Sequence, residues 1–405
     1  MIRETYEVAT QETSFSVVQS RIDSIRQKNI TRTGYRVYQD GLIGVHGQLG
    51  QSTDDPWQKA VENLSGQVAY PFEPVRGINQ EKTVASDLDG QAILPELEAV
   101  LAEARKRHPE FIISNKINIT ETTTTLQNDQ QTKLVHRDKT LMVGLILKHK
   151  DSVSIMDTFL GYRARHWDAG FFLDEFEKMT AAYNTQVPFP EDELLVVTEP
   201  DLLASKLVTE LNGEKVGYKS SLLNKDFGKK VFHDDFAFYL DWDEREQYHV
   251  PFFDAEGTII PEGRVDLVRA GVIEKAYTDR RTADKFQMPL TGSAACPYDG
   301  VPTLGARNFN MARSPKTVRE LLGGRLGVVI VMASGGDYTE DGNFATPVQL
   351  GLLTDGTRLL GRLPEFDLSG RLYDIFGKDY IGYSQDRFLA GEHALVVKMK
   401  IGRKS

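Results

Sequence analysis

The stretch SGGDYTEDGNF, Ser334 to Phe344, places three glycines among Asp337, Glu340 and Asp341 directly after the apolar run LGVVIVMA. Carboxylates and hydroxyls at alternate positions suit a hard cation, and a calcium loop wants them at positions one, three and five with glycine at six and a bidentate Glu at twelve. Counting from Asp337, the residues Asp337, Thr339, Asp341 and Gly342 fit the first half, but position twelve is Val348 with Pro347 beside it. A phosphate cradle needs a glycine turn that opens a helix. The residues after Gly342, NFATPVQLGLL, read as a strand, and three acids would repel an anion. The stretch therefore reads as a tight connection whose glycines supply unusual φ angles and whose acids and hydroxyls bond nearby backbone.

Other chemistry-bearing residues are sparse. The eight histidines are His46, His108, His136, His149, His166, His233, His249 and His393, and no two are spaced one helical turn apart as a zinc-protease pair requires. The densest group is His233, Asp234 and Asp235 with His249 further on, which reads as a solvated strand end. The single cysteine, Cys296 in TGSAACPYDG, has no base assigned to it and cannot form an internal disulfide. No G-x-S-x-G nucleophile elbow occurs. Spacing alone names no active site.

The elements that must position any site follow from caps, spacing and turns. DPWQKAVENLSG reads as a short helix, with Asp55 as cap, Pro56 at the first position and Gly66 as the left-handed end. Leu94 to His108 carries an apolar stripe at three- and four-residue steps and stops at Pro109. FFLDEFEKMTAAY repeats the pattern, Thr198 to Leu211 does so with Leu203, Leu207 and Leu211 before Gly213, and Ser314 with Pro315 opens a last helix. Asp40–Gly41, Ala270–Gly271 and Asp355–Gly356 each sit between β-prone arms and predict hairpins, while Ile112 to Tyr162 predicts an antiparallel meander.

The prolines and acids of NTQVPFPEDE interrupt both periodicities, so the expected division is an amino-terminal α+β domain at 1–190 and a strand-rich carboxyl-terminal domain at 191–405. Segregated helices and antiparallel strands make the fold class α+β. A chain of 405 residues with 40% hydrophobic and 26% charged residues is globular, and a net charge of −10 opposes direct nucleic-acid binding. The charged amino terminus and short apolar runs predict a cytoplasmic protein without a membrane span.

The ordered series KSSLLNKDFGKKV, PFFDAEGTIIPEGRVDLVRAGVIEKAYTDRRTADKF, TGSAACPYDGVP, SPKTVRELL and GGDYTEDGNFATPVQLGLLTDG resembles the carboxyl half of the TldD/PmbA family. GYRVYQDGLIGV and the meander ending near LGYRAR resemble its upstream regions, so the likeness covers nearly the whole chain. It implies a cytoplasmic, two-domain, dimeric protein tied to peptide maturation and proteolysis, historically called a modulator of DNA gyrase. TldD-type members carry His-Glu-x-x-x-His on a helix that corresponds to Leu202–Leu211 here, yet this chain has no histidine between Trp167 and Phe232. Cys296 also lies too early to match the family's late metal-binding cysteine. The resemblance is thus to the PmbA/TldE side. It implies a non-catalytic subunit of a zinc metalloprotease, with no cofactor of its own and zinc expected only in a TldD-type partner. The implied partners are that chain, or self in a dimer, and a peptide substrate, with no direct nucleic acid and no membrane. A peptide groove made from sheet edges would bind by strand addition. Asp254, Glu256, Gly257, Gly336 and Asp337 match family-motif loops and read first as turn formers. The alternative is a self-sufficient homodimeric metallopeptidase using an unorthodox set such as His233, Asp234 and His249.

Overall fold

The computed structural model describes residues 1–51, 54–191 and 193–403. Four long strands, Arg21–Gln39, Ile2–Val18, Phe111–Asn128 and Thr132–His149 in that order, alternate side chains between two faces and form the centre of a seven-stranded sheet, with the shorter Leu42–Leu49 on the outer side of Arg21–Gln39. Two short strands complete it on the outer side of Thr132–His149, with Asn79–Thr83 parallel to residues 133–137 and Thr158–Ala164 antiparallel to residues 141–147. Phe15, Ile117 and Val143 fall in register on one face and bury against the helices Leu94–Arg107 and Ala169–Asn184. Glu4, Arg36 and Asn128 fall in register on the opposite face, because strand side chains alternate.

The second sheet has nine strands. Its path runs Tyr380–Leu389, Glu392–Val397, Leu195–Thr198, Gly327–Ala333, Asn343–Thr354, Phe366–Arg371, Lys400–Arg403, and the short strands Asp337–Tyr338 and Leu359–Arg362 also pair Asn343–Thr354. Leu195 and Val197 point into the core shared with helix Ala169–Asn184, whereas Val196 points into a second core with Phe236, Phe376 and helix Asp201–Glu210. All strands of the first sheet end before residue 165 and all strands of the second begin after residue 194, yet one apolar core runs through both. The architecture is α+β, as the segregated pattern predicts. Among the described residues no helix is long and apolar enough to cross a membrane.

Several boundaries differ from the sequence expectation for local reasons. The helix Pro56–Glu62 is capped by Asp55 as predicted, but it runs into a 3-10 turn, and Gln67 with φ 52° takes the left-handed position expected of Gly66. Thr198 ends a strand, and the helix begins at Asp201 after Pro200, because β-branched Val196 and Val197 pair with neighbouring strands. Gly213 does not stop a helix. It begins the next one, capped by Asn212, where a side chain would strike Tyr277 O at 2.6 Å. The helix expected from Ser314 starts at Val318, because Thr317 and Glu320 form a reciprocal capping box. Asp40–Gly41 and Ala270–Gly271 both adopt the paired positive φ angles of two-residue hairpins.

Candidate functional site

The strand Leu195–Thr198 runs parallel to Gly327–Ala333, and Glu199 and Pro200 turn the chain from its carboxyl end into helix Asp201–Glu210. Beside Leu195–Thr198 in the same sheet is the hairpin of Tyr380–Leu389 and Glu392–Val397, whose turn residues Ala390 and Gly391 have positive φ. Glu175 of helix Ala169–Asn184 accepts the Ala390 amide at 2.8 Å and ties that hairpin to the other half of the molecule. Between these parts lies a cavity of about 180 Å³, lined by Phe159, Leu160 and Gly161 of the edge strand, Met179, Val329–Val331 and Phe388–Ala390. Glu199, Glu392 and His393 are the ionisable groups of its wall.

These three groups have unlike surroundings. Glu199 is exposed at the cavity mouth, where partial desolvation by the apolar wall raises its carboxyl above the usual carboxylate range and neighbouring Asp201 raises it further. Burial also raises Glu392; Arg387 and Arg163 oppose that shift while Glu199 adds to it. Neither carboxylate has a hydrogen-bond or ion-pair partner among the described residues. His393 is lowered by burial and by Arg387 and Arg313, its ring held between Arg313 Nη1 at 3.0 Å and Asp386 O at 3.2 Å. The cavity wall is thus apolar with two unmatched acids.

Helix Asp201–Glu210 turns Leu203, Ala204 and Leu207 into the core, so an apolar pair one turn apart occupies its buried face. Glu210, also buried, accepts from Lys206 Nζ at 3.0 Å and Lys215 Nζ at 2.5 Å on Oε1, and from the Leu222 amide at 2.7 Å on Oε2. Burial alone would raise this carboxyl, but the hydrogen bonds from Lys215, Leu222 and Lys206 hold it below the usual range. Zinc wants imidazole, thiolate or free carboxylate donors. The helix offers none of the first two, and its buried carboxylate is committed to two ammonium groups and an amide, so these residues do not fit the ion.

A third polar region joins the first sheet to loops of the carboxyl half. Glu4 Oε1 accepts Arg36 Nη1 at 3.1 Å and Tyr38 OH at 2.9 Å, and Oε2 accepts Asn128 Nδ2 at 3.3 Å. Arg36, fully buried, also donates to Ala255 O at 2.7 Å and lies over the Tyr6 ring. Asp254 accepts the amides of Glu256, Thr258 and Ala294 at 2.8 to 3.1 Å. Glu256 accepts Tyr70 OH and the Arg280 amide, and burial together with Asp254 pushes its carboxyl up to about 7.

Residues 192–400 match the family model described as the PmbA/TldA metallopeptidase C-terminal domain. The chain belongs to the TldD/PmbA family. Among solved structures, TldE from Thermococcus kodakarensis is similar at 15% identity and TM-score 0.79, over 99% of this chain and 97% of that one. A protein described as a modulator of DNA gyrase from Bacteroides thetaiotaomicron is similar at 14% identity and TM-score 0.79, over 100% and 95%. One so described from Thermotoga maritima matches at 14% and TM-score 0.77, over 98% and 95%. These likenesses concern the fold. No curated protein sequence matches the chain.

The TldD/PmbA motif residues lie apart from the cavity. Asp254, Glu256 and Gly257 are buried in the polar seam, and Gly257, with φ 74°, has no room for a side chain beside Val75 at 2.6 Å. Gly336 and Asp337 are exposed in the hairpin that pairs Asp337–Tyr338 with Phe344–Ala345, where a Cβ on Gly336 would meet Ala345 O at 2.0 Å. Thr339 Oγ1 donates to Asp341 and accepts the Asn343 amide, and Asp337 accepts the Tyr338 amide, so these three side chains are engaged in the turn. His233 and Asp234 sit at an exposed strand end, where Asp234 pairs Lys230, while His249 bonds Thr140 at 2.6 Å beneath the first sheet. The unorthodox set of His233, Asp234 and His249 is therefore divided between two places, and among the described residues no three metal-binding side chains converge. Cys296 is half-buried; its thiol donates to Pro297 O and Gly300 O and is raised by burial. Glu199 and Glu392 escaped the sequence reading. Glu199 falls inside the helix expected from Thr198, although Thr198-Glu199-Pro200-Asp201 signals a strand-to-helix junction.

Proposed function

We propose that this chain is a PmbA/TldE-like subunit of a TldD/TldE-type zinc metalloprotease acting in peptide maturation and proteolysis, and that it lacks the metal site itself. The observation that carries this reading is the helix Asp201–Glu210, where leucines and a Lys206–Glu210–Lys215 cluster stand at the place expected of metal ligands. Zinc then belongs to a TldD-type partner, and the complex is a cytoplasmic dimer. This chain supplies part of the substrate-binding wall. The edge strand Thr158–Ala164 pairs with Thr132–His149 on one side, and Phe159 to Gly161 border the cavity. A peptide added to that edge gains backbone hydrogen bonds that demand no sequence, while the cavity receives a side chain.

The test is reconstitution. The purified chain is assayed for cleavage of an unstructured peptide alone, with a TldD-type chain, and with that pair plus chelator. Cleavage only by the pair, abolished by chelator, is expected. Chelator-sensitive cleavage by this chain alone would overturn the reading and favour a self-sufficient metallopeptidase.

A further inference from the structure

Strand Arg21–Gln39 is paired unevenly. On one side Ile2–Val18 pairs it from Arg21 to Tyr38, while on the other Leu42–Leu49 pairs only residues 32–39, and the Gly50 amide adds a bond to Thr31 O at 2.8 Å. Beyond that point, from Arg21 to Ile30, the outward backbone groups bond nothing among the described residues, which leaves an open edge roughly 30 Å long. Strand side chains alternate, so the edge has two characters. On one face stand Arg26 and Lys28, about 7 Å apart along the strand, and neither makes an ion pair among the described residues. On the other, Ile25 lies directly across from the buried Phe15 yet is 46% exposed, because no further strand flanks it. Residues 21–32 hold the cations Arg21, Arg26, Lys28 and Arg32 and one acid, Asp23, in a chain of net charge −10. Glu12, directly across from Lys28, is engaged with Ser14 at 3.3 Å. A second copy is a poor occupant, since antiparallel pairing of this edge with itself brings Arg26 and Lys28 of the two molecules together. A row of open amides and carbonyls is completed by a polypeptide strand rather than by a nucleic acid, which the net charge also opposes.

We propose that the edge from Arg21 to Ile30 docks an extended acidic polypeptide segment, which adds antiparallel to it with carboxylates opposite Lys28 and Arg26 and an apolar residue opposite Ile25. In antiparallel pairing those partners fall at the first, third and fourth positions of the segment, so the recognised pattern is acid, any residue, acid, apolar. Backbone hydrogen bonds supply the affinity, while the two cations and Ile25 fix register and direction. The edge lies across the sheet from Thr158–Ala164, with three strands between them, and it stands whether or not this chain serves a zinc-bearing partner.

Fluorescence polarisation with the full-length chain tests this. Short labelled peptides carry Glu-Thr-Glu-Val, its Gln-Thr-Gln-Val twin or its Lys-Thr-Lys-Val twin at their centre, and two more carry the Glu sequence N-methylated at alternate residues, one in each phase. The Glu peptide is expected to bind about fivefold more tightly than the Gln twin at low salt, with the Lys twin weakest and one methylated phase about tenfold weaker than its parent. In the double variant Arg26→Gln with Lys28→Gln, confirmed folded by its melting curve, the Glu and Gln peptides should bind within about twofold of each other. Equal binding of the Glu, Gln and Lys peptides to the unmodified chain would overturn the proposal, and a Glu preference that survives in the double variant would overturn the assignment to these residues. Binding unchanged by methylation in both phases, or matched by a short single-stranded DNA, would overturn the strand addition. Failure of every peptide to bind would also overturn the proposal and leave the cations as a guard against edge-to-edge pairing.

Discussion

The polar seam and the cavity wall both carry carboxylates but treat them in opposite ways: the seam buries and pairs its acids, whereas the wall leaves Glu199 exposed and Glu392 half-buried. In the seam, Glu4 meets a guanidinium, a phenol and an amide, and Asp254 meets three backbone N–H groups. In the cavity, Glu199 and Glu392 meet no donor within the described chain. Matched acids hold a fold together, because removing one partner strands the other. Acids left at the solvent edge add little to folding, because water already satisfies them. Glu210 belongs to the matched class although it lies on the helix where a metal site is expected.

That contrast can be broken by mutation. Arg36→Met leaves Glu4 buried without its cation and should cost about 3–5 kcal/mol in denaturant unfolding. The further change Glu4→Leu should recover part of the loss. Asp254→Ala leaves the amides of Glu256, Thr258 and Ala294 unpaired, and a loss of about 3 kcal/mol is expected in the same experiment. A negligible effect of either single change would remove the distinction between the two regions.

The pH dependence sharpens it. Glu256, normally near 4.5, is pushed up to about 7 by burial and Asp254, so its contribution to stability is complete below about 4.5 and lost as pH rises through about 7. His136 titrates with the opposite sign, since burial lowers it from 6.5 to about 4 and its contribution is lost as pH falls across that range. The parent protein therefore shows a partly cancelled slope. Glu256→Gln should match the parent near pH 4.5 and gain on it toward pH 7, by no more than about 1.4 kcal/mol per pH unit. Chemical denaturation at several pH values reads this directly, and parallel curves for the two proteins would contradict it. Glu199→Gln should have the smallest effect, within about 0.5 kcal/mol of the parent by thermal unfolding. A large loss would show that Glu199 has a structural partner.

Much of the fold was legible in local chemistry. The Asp55 cap, the Leu97, Val100, Leu101 and Ala104 stripe and the Asp40–Gly41 turn each depend on neighbouring residues, and the structure places them as expected. The candidate site was less legible because it is assembled from distant parts. Phe159, Glu199, Val331 and Glu392 meet only after two sheets pack on helix Ala169–Asn184. Nor does spacing show that Asp254 reaches the Ala294 amide, or that Glu256 reaches Tyr70. The ordered motifs conveyed the family, while the distribution of partners among the acids is a property of the folded chain.

The most direct measurement is zinc stoichiometry. The purified chain is equilibrated with zinc, freed of excess ion and weighed by native mass spectrometry, alone and in complex with a TldD-type chain. With Glu210 held by Lys206 and Lys215, the lone chain should carry no tightly bound zinc, and the complex should carry metal only on the partner. One zinc retained per lone chain would contradict the account.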